Sequence, residues 1–341
     1  MDSLLDKYKE EFNNFLDEEG DIVIGSFSMP PSIILESMDE ESYKEQLLEF
    51  VEGKKVAFKE TIYTDFPAPI AYFFERTKNS SENENHQLQL LRSTWESIIF
   101  ILYATVLGEI HNQNFDLTHI RLFRNKRISN DHNGTLSDRL GWKMEFIQKA
   151  LEYDRDNSNN LKCSDFIESR HIETLKELNH ERNSFSHIAA LNPVQAKERY
   201  DLLLPKVYDL LFDLSFLENI SIIKYKQNNG ALTNIRFNRF DGHSLREVNY
   251  DKEFSTAELT SLSHIFNSEN MLMEFDNDIF CVSPFIHFIK EGNSQKLVIC
   301  YYKKINQNTG LWIYEPIAGA ETEVEIDSST INYNINNLLS V

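Results

Sequence analysis

The chain has 341 residues, of which 41% are hydrophobic and 12% aromatic, so it has enough apolar side chains to bury a core. Its 54 acidic residues outnumber 34 basic ones, and the formal net charge of −20 excludes a protein that coats nucleic acid by releasing counterions. No apolar run reaches the length of a membrane span, the first residues are unlike a signal sequence, and the three cysteines are far apart. These features predict a globular protein of a reducing compartment, which we expect to be cytoplasmic and without a membrane partner.

The first 65 residues predict a small segment that mixes helices and strands. Helical patterns cover residues 4–15 and 40–51, and strand patterns cover residues 21–25 and 55–63. The prolines of Asp65-Phe-Pro-Ala-Pro69 then interrupt the chain, because closely spaced prolines cannot continue a helix or a central strand. We therefore expect an α/β segment over residues 1–65.

Residues 66–217 predict a bundle of four or five helices. The helical patterns cover residues 70–78, 86–110, 136–153, 164–187 and 192–217, with a further short helix over residues 117–127. The pattern over residues 86–110 is apolar on nearly all sides, so we expect that helix at the centre of the bundle. Glu96 is a polar exception within it. The sequence leaves open whether Glu96 faces Arg182 inside the bundle or lies on the surface.

After residue 217 the pattern changes to strands. Residues 220–225 and 232–240 flank an Asn-Gly turn and predict a β-hairpin, and residues 256–266 predict one helix. Further strands are expected over residues 271–274, 279–282, 285–289, 297–303 and 311–314. The whole sequence therefore predicts an α+β fold, in which a β-rich domain over residues 218–341 follows the helical domain over residues 66–217.

Two short motifs in the β-rich part contain groups that can bind a metal ion. They are Asp241-Gly-His243 and Asp276-Asn-Asp278. Both fall where hairpin turns are expected, and turns favour Asp, Asn and Gly for conformational reasons. We therefore interpret both motifs as turns and expect neither a metal nor a cofactor.

Residues 177–190 contain the side chains best suited to chemistry. An amphipathic helix ends there, and Arg182, Asn183 and His187 lie close to the start of the next helix. Arginine suits a phosphate because its planar fork donates two hydrogen bonds and keeps its charge. Histidine suits proton transfer because its ordinary pKa, about 6.5, lies near working pH. On an ideal helix Asn183 and His187 share a face, so Arg182 must bend round or the helix must loosen.

The pattern Arg182-Asn183-xxx-His187 resembles the signature of the HEPN superfamily. Members of that family carry an arginine, usually followed by asparagine, and then a histidine inside an all-helical domain. Upstream, Leu136-Ser-Asp-Arg-Leu-Gly141-Trp142 resembles the start of an internal helix in several members. The resemblance covers about residues 66–217. It departs from some toxin members at Ala189, where they have a tyrosine, so regulation through such a tyrosine is in doubt.

The resemblance implies a metal-independent RNA endonuclease that works as a homodimer. Arg182, His187 and Asn183 would be its catalytic residues, and its products would be a 2′,3′-cyclic phosphate and a 5′-hydroxyl. The family likeness also implies a role as a toxin or antiviral-defence effector, with RNA as substrate and an antitoxin or another regulatory protein as a partner.

A second arginine and histidine occur at the same spacing, at Arg127 and His132. They lie in a polar run that ends in Asn133-Gly134, without an apolar helix before them, so we interpret the match as a loop coincidence. Arg121, Arg124, Lys126 and Arg127 form a basic cluster here. The cluster is either an ordinary solvated loop, which we favour, or a local patch that attracts RNA despite the acidic surface.

Two other functions stay open. In one alternative, the helical domain is a non-catalytic module that dimerises and binds a partner. In the other, the C-terminal domain senses a ligand and gates the helical domain. Growth arrest that depends on Arg182 would separate an enzyme from a binding module.

Overall fold

The computed structural model describes residues 2–18, 20–24, 27–79, 81–113, 121–122, 126–127, 139–157, 160–186, 191–228, 233–291, 296–306, 308–319 and 322–327. The chain divides into two compact units, residues 1–61 and 62–341. Helices precede two large antiparallel sheets, so the fold is α+β.

The first unit is built mainly from helices. In chain order it contains α1 (Asp2–Asp17), β1 (Ile22–Ile24), β2 (Phe27–Met29), α2 (Pro31–Met38) and the larger part of α3 (Glu40–Thr64). Strands β1 and β2 pair antiparallel. Phe12 of α1 packs edge-on against Tyr43 of α3, with ring centroids 5.4 Å apart. This aromatic contact joins the two longest helices of the unit.

The strand predicted over residues 55–63 is wrong, because α3 continues through it to Thr64. Val51, Phe58 and Ile62 recur at the spacing of one helix face, and both Val51 and Ile62 are buried. The β-branched and aromatic side chains that favour a strand locally are therefore placed at helical positions.

Among the described residues, five long helices form the helical part of the second unit. They are α4 (Ala68–Asn79), α5 (Glu84–Asn112), α6 (Leu140–Asn157), α7 (Ser169–Ser186) and α8 (Pro193–Asp213). Helix α5 contacts the other four and is the central helix, as predicted. Among the described helices it alone is long and apolar enough to cross a membrane, but 78% of its most apolar stretch is buried inside the protein. That burial is typical of the core helix of a soluble fold.

The single helix predicted over residues 164–187 is divided. A 3₁₀ turn covers Lys162–Asp165, and α7 begins only at Ser169. Two buried carboxylates hold this turn. Glu109 accepts hydrogen bonds from the backbone N–H groups of Lys162 and Cys163, and Asp154 accepts one from the Ser164 hydroxyl. Burial raises the pKa of Glu109. Because the carboxylates satisfy these polar groups, the chain turns before the regular helix starts.

The short helix predicted over residues 117–127 is also wrong. Strands β3 (Arg121–Leu122) and β4 (Lys126–Arg127) pair antiparallel in that range. Only three residues separate the two strands, which is the length of a short hairpin connection. The candidate N-caps of α6, Thr135 and Ser137, lie outside the described residues.

Two antiparallel sheets follow the helices. In the first, the strand order is β7-β6-β5-β8-β9, and in the second it is β10-β11-β12-β13. The strands are β5 (Ile220–Asn228), β6 (Asn234–Asp241), β7 (Arg246–Glu253), β8 (Leu272–Phe275), β9 (Asp278–Cys281), β10 (Ile286–Glu291), β11 (Lys296–Ile305), β12 (Trp312–Pro316) and β13 (Val324–Ile326). The predicted hairpin of β5 and β6 is confirmed. Strand β7 was not predicted, because charged residues dominate this edge strand, as edges require.

The remaining helix of the C-terminal part, α9, is shorter than its predicted range. It covers Thr256–Leu262 and begins at a capping box, in which Ser255 and Glu258 satisfy each other's backbone N–H.

Both motifs that resembled metal sites are turns. Asp276 and Asn277 have positive φ angles, 47° and 68°, and connect β8 to β9. The amine of Lys162 binds Asp276 and Asp278, at 2.9 and 3.0 Å, so a cation from the protein already occupies that place. Gly242 has φ of +49°, and an added Cβ would lie 2.5 Å from the Tyr63 carbonyl oxygen, which explains the glycine.

Helix α5 joins the helices to both sheets. Near its end, Thr105 and Gly108 lie against β8 and β9, where Gly108 meets the ring of Phe280. One to two turns earlier, the ring of Phe100 stacks on Tyr301 of β11 at 4.3 Å, and Tyr103 packs edge-on against Phe285. The helical part and the sheets therefore share one core along α5.

His287 of β10 is a buried histidine in this core, with 4% of its surface exposed. Its Nδ1 lies 3.2 Å from the Ser283 hydroxyl. Burial, helped by the positive charge of Lys224, lowers the pKa of His287 to about 4. An unfolded histidine keeps its ordinary pKa of about 6.5. The unfolded chain therefore binds an additional proton between these two values.

We expect the free energy of unfolding to fall as pH drops from about 6.5 towards 4. The reason is that His287 binds a proton in the unfolded chain but stays neutral while it is buried in the folded protein. Each pH unit contributes up to about 1.4 kcal/mol, so the total loss is about 3 kcal/mol. Over the same pH range, the free energy of unfolding of the His287→Gln variant should fall by about 3 kcal/mol less than that of the wild type. Urea denaturation of both proteins at pH 7, 5.5 and 4.5 measures this. Parallel pH profiles would contradict it.

Candidate functional site

A cleft of about 230 Å³ opens where α5, α7 and the second sheet meet. Polar and charged side chains form much of its wall, and aromatic rings form most of the rest. It is lined by Phe73, Arg92, Ser93, Glu96, Ser97, Phe100, Leu140, Arg182, Tyr301, Tyr302, Lys303, Glu315, Pro316 and Ile317. The cleft therefore includes one of the three predicted catalytic residues, Arg182.

The wall from α5 is a polar stripe on an otherwise apolar helix. Arg92 and Glu96 are four residues apart, and so are Ser93 and Ser97, so both pairs project from one face. Arg92 Nε donates a 2.7 Å hydrogen bond to Glu96 Oε1. Charged side chains inside a core helix are costly unless they are paired, and this pair reduces that cost.

Arg182 reaches into the cleft from the last turn but one of α7. Its Nε lies 2.7 Å from the same Glu96 oxygen that Arg92 binds, and the side chains of Arg182 and Glu96 are 28% and 21% exposed. Glu96 therefore faces Arg182, which resolves the alternative left open by the sequence. One carboxylate holds two guanidinium groups, so the trio carries one net positive charge. The negative end of the α7 dipole also favours a cation here.

Three buried polar atoms at this cleft lack a protein hydrogen bond. They are Arg182 Nε, Ser97 Oγ and Tyr301 Oη, none of which has a partner among the described residues. The Arg182–Glu96 contact is therefore an ion pair whose N–H is not aligned for a hydrogen bond. Most buried polar atoms in native proteins have partners. Three such atoms around one cleft indicate that a ligand or solvent provides their hydrogen-bond partners.

The wall opposite α5 comes from β11 and β12. The ring of Tyr301 stacks on Phe100, which fixes its position. Burial raises the pKa of the Tyr301 phenol, and the nearby Glu96 raises it further. Ser97 opposes this rise in pKa, with a larger effect than that of Glu96, so the two hydroxyls are neighbours, although they do not align as a hydrogen bond. The phenol therefore stays protonated and can donate.

Lys303 lies at a β-bulge. The pairing of β11 with β12 shifts between Tyr302 and Lys304, so Lys303 is the extra residue of β11. Bulges redirect side chains and are frequent beside functional sites. The Lys303 amine binds Glu323 at 2.8 Å and Glu315 at 3.5 Å, and the bond to Glu323 is the main cause of its raised pKa.

The structure does not describe the side chains of the other two predicted catalytic residues. Asn183 belongs to α7, but its side chain lies outside the described residues, as does all of His187. Beyond them, the Leu191 carbonyl accepts a 3.0 Å hydrogen bond from Asn85 of α5, so the chain is anchored again to the central helix. Glu181 binds Arg199 of α8 at 2.9 Å.

The second arginine–histidine match gains no support. Arg127 belongs to β4, and its side chain, like all of Arg124 and His132, lies outside the described residues.

Sequence reasoning missed half of the cleft. The spacing of Arg92 and Glu96 on an apolar helix was a usable signal for the α5 wall. No comparable signal indicates Tyr301 and Lys303. The sequence around them predicts an ordinary apolar strand, and the bulge at Lys303 depends on how that strand pairs with β12.

Removing Glu96 should destabilise the protein, because Arg92 and Arg182 would then face each other without the carboxylate. We expect Glu96→Ala to lower the free energy of unfolding by about 1–3 kcal/mol. The matched control is Glu181→Ala, whose partner Arg199 is half-buried near the surface, and such a pair is worth about 1 kcal/mol or less. Urea denaturation compares the two. Equal losses of unfolding free energy in the two variants would show that Glu96 contributes no more to stability than Glu181 does.

The cleft combines features that suit an anion. Arg92, Arg182 and Lys303 supply positive charge on an acidic protein, and unpartnered hydroxyls supply donors. Within the described ranges no three His, Cys, Asp or Glu side chains converge in a way that could hold a metal ion. Comparisons of the chain with protein-family models, with curated proteins and with solved structures found no match.

Proposed function

We propose that the protein is a metal-independent RNA endonuclease of the HEPN type, with Arg182, His187 and Asn183 as its catalytic residues. The observation that carries the proposal is the position of Arg182, which Glu96 holds at an open cleft beside a second arginine. The Nε–H of Arg182 is buried and forms an ion pair with Glu96, but it is not aligned for a hydrogen bond with any described residue.

The proposed reaction uses the 2′-hydroxyl of RNA as its nucleophile. A base removes the proton from that hydroxyl, the oxygen attacks the adjacent phosphorus, and the bond to the 5′-oxygen breaks as an acid protonates the leaving oxygen. Arg182 stabilises the negative charge that builds up on the phosphate oxygens. The products are a 2′,3′-cyclic phosphate and a 5′-hydroxyl.

Two proton transfers are needed, and His187 of one chain cannot perform both at once. We therefore infer a homodimer, in which His187 and Arg182 of two chains serve one RNA strand. Asn183 orients the phosphate or the neighbouring backbone. In a cytoplasmic toxin or antiviral-defence effector, an antitoxin or regulatory protein would cover this site.

The test is cleavage of RNA by the purified full chain in EDTA. The proposal expects 2′,3′-cyclic phosphate and 5′-hydroxyl ends, and no cleavage of DNA of the same sequence, which lacks the nucleophile. A substrate with one 2′-deoxy position should resist cleavage at that position alone. Products with 5′-phosphate ends, or equal cleavage of DNA, would overturn the proposed mechanism.

A further inference from the structure

We propose that the second sheet completes the Arg182 cleft as a phosphate-binding site, in which Tyr301 and Lys303 of β11 act together with Ser97 of α5. The identification of that phosphate as part of RNA rests on the proposed function, whereas the site itself rests on the cleft. Tyr301, Lys303 and Ser97 are then binding residues that no family motif marks.

The cleft supplies hydrogen-bond donors for a phosphate. Ser97 is fully buried and Tyr301 is 7% exposed, yet neither hydroxyl has a protein partner in the described part of the chain. Both line the same cleft as Arg182. A phosphate has several acceptor oxygens and no obligatory donors, so it satisfies hydroxyls and guanidinium N–H groups together.

The two arginines of the cleft supply positive charge for a phosphate. Glu96 balances only one of its two arginines, and each guanidinium has five N–H donors, most of which Glu96 does not use. Lys303 adds a third cation, but both Glu315 and Glu323 bind it, so these three side chains together carry one net negative charge. The positive charge that favours a phosphate therefore lies at the two arginines, and Lys303 contributes only when it exchanges a carboxylate for the phosphate.

The size of the cleft also suits a phosphate. Pockets for drug-sized ligands measure about 300–1,000 Å³, so a cleft of about 230 Å³ admits less than such a ligand. It suits one phosphate with its attached sugar. Phe73 and Phe100 supply apolar walls beside the charged groups. In a longer RNA, the other nucleotides would lie outside the cleft, so the volume of the cleft does not limit the length of the RNA.

Equilibrium binding of two probes tests the proposal in the full-length protein. One probe is adenosine 5′-monophosphate, and the other is a 2′-O-methylated RNA dodecamer, whose blocked nucleophile prevents cleavage. We expect Tyr301→Phe and Ser97→Ala each to weaken binding by about tenfold, since each removes a hydrogen bond to a charged group. Lys303→Gln should weaken binding and flatten its salt dependence.

The matched control is Tyr314→Phe. Tyr314 lies on the neighbouring strand, is fully buried and also has an unpartnered hydroxyl within the described residues, but it does not line the cleft. We expect this variant to bind both probes as the wild type does. Because Tyr301→Phe also removes only an unpartnered hydroxyl, its melting temperature without ligand should equal or exceed that of the wild type.

The outcomes separate this inference from the proposed nuclease. Tyr301-dependent binding of either probe supports the phosphate site, and binding of the mononucleotide alone identifies a free nucleotide as its source. Such binding without RNA cleavage would overturn the nuclease and leave the site intact. Cleavage and binding unchanged in Tyr301→Phe, Ser97→Ala and Lys303→Gln would overturn the role of the sheet. So would a wild-type protein that binds neither probe.

Discussion

Replacing Arg182 with alanine is expected to slow RNA cleavage by about 10²–10³-fold, because the developing charge on the phosphate loses its main stabilising group. The fold should survive, since Glu96 keeps its hydrogen bond from Arg92. Arg182→Lys should recover only part of the rate, since a lysine keeps the charge and loses the planar fork. Single-turnover cleavage of a labelled RNA, with circular dichroism of each variant, measures both effects.

His187→Ala belongs to the same test and should slow cleavage by about 10²–10⁴-fold, the usual contribution of a general acid or base. Two matched controls come from the same helices. His180 is an exposed histidine of α7, and Arg199 is an arginine of α8 that binds Glu181 away from the cleft. Alanine at either position should leave cleavage within about twofold of the wild type, as surface substitutions rarely have larger effects.

The nuclease hypothesis fails if His187→Ala cleaves RNA as fast as the wild type in EDTA. A mixture of the Arg182→Ala and His187→Ala proteins adds a test of the dimer. If two chains build one site, mixing gives hybrid dimers with a different rate from either variant alone. If each chain acts separately, the mixture shows only the average of the two.

The position of the central helix could be predicted because its information is local. Helix α5 is apolar on nearly all sides, and only the middle of a bundle accommodates such a helix. Its observed limits, Glu84–Asn112, extend the predicted range by about two residues at each end. The failure at residues 55–63 has the opposite cause. Local strand propensity there competes with a helical repeat that includes Val51, outside the window that suggested a strand.

The cleft could be predicted only in part, because its two walls come from distant parts of the chain. Arg182 was a candidate from its motif, and Glu96 was a possible partner because it interrupts an apolar helix. Tyr301 and Lys303 lie more than 100 residues further along. Whether a strand residue meets α5 depends on register and on the bulge at Lys303, which the pairing with β12 determines. A hydroxyl without a partner is a property of three-dimensional packing alone.

Replacing Gly108 with alanine is expected to lower the free energy of unfolding by about 2 kcal/mol, although alanine is the better helix former by about 1 kcal/mol. A Cβ at this position would lie 2.6 Å from Phe280 Cγ and closer still to two other ring atoms. The ring is 1% exposed, so it has no solvent to move into. Urea denaturation of the variant measures the loss, and β9 should become more open to hydrogen exchange.

Gly53→Ala is the matched control, since Gly53 also lies inside a helix, α3, but has no atom within 4 Å of an added Cβ. There the same substitution should raise the free energy of unfolding by about 0.5–1 kcal/mol. The Phe280→Ala background removes the obstacle and should reverse the sign at Gly108, so that alanine becomes neutral or stabilising. If Gly108→Ala destabilises both backgrounds equally, the contact with Phe280 is not the reason for glycine. Reversal would show that this close approach of α5 and β9 requires a residue without a side chain.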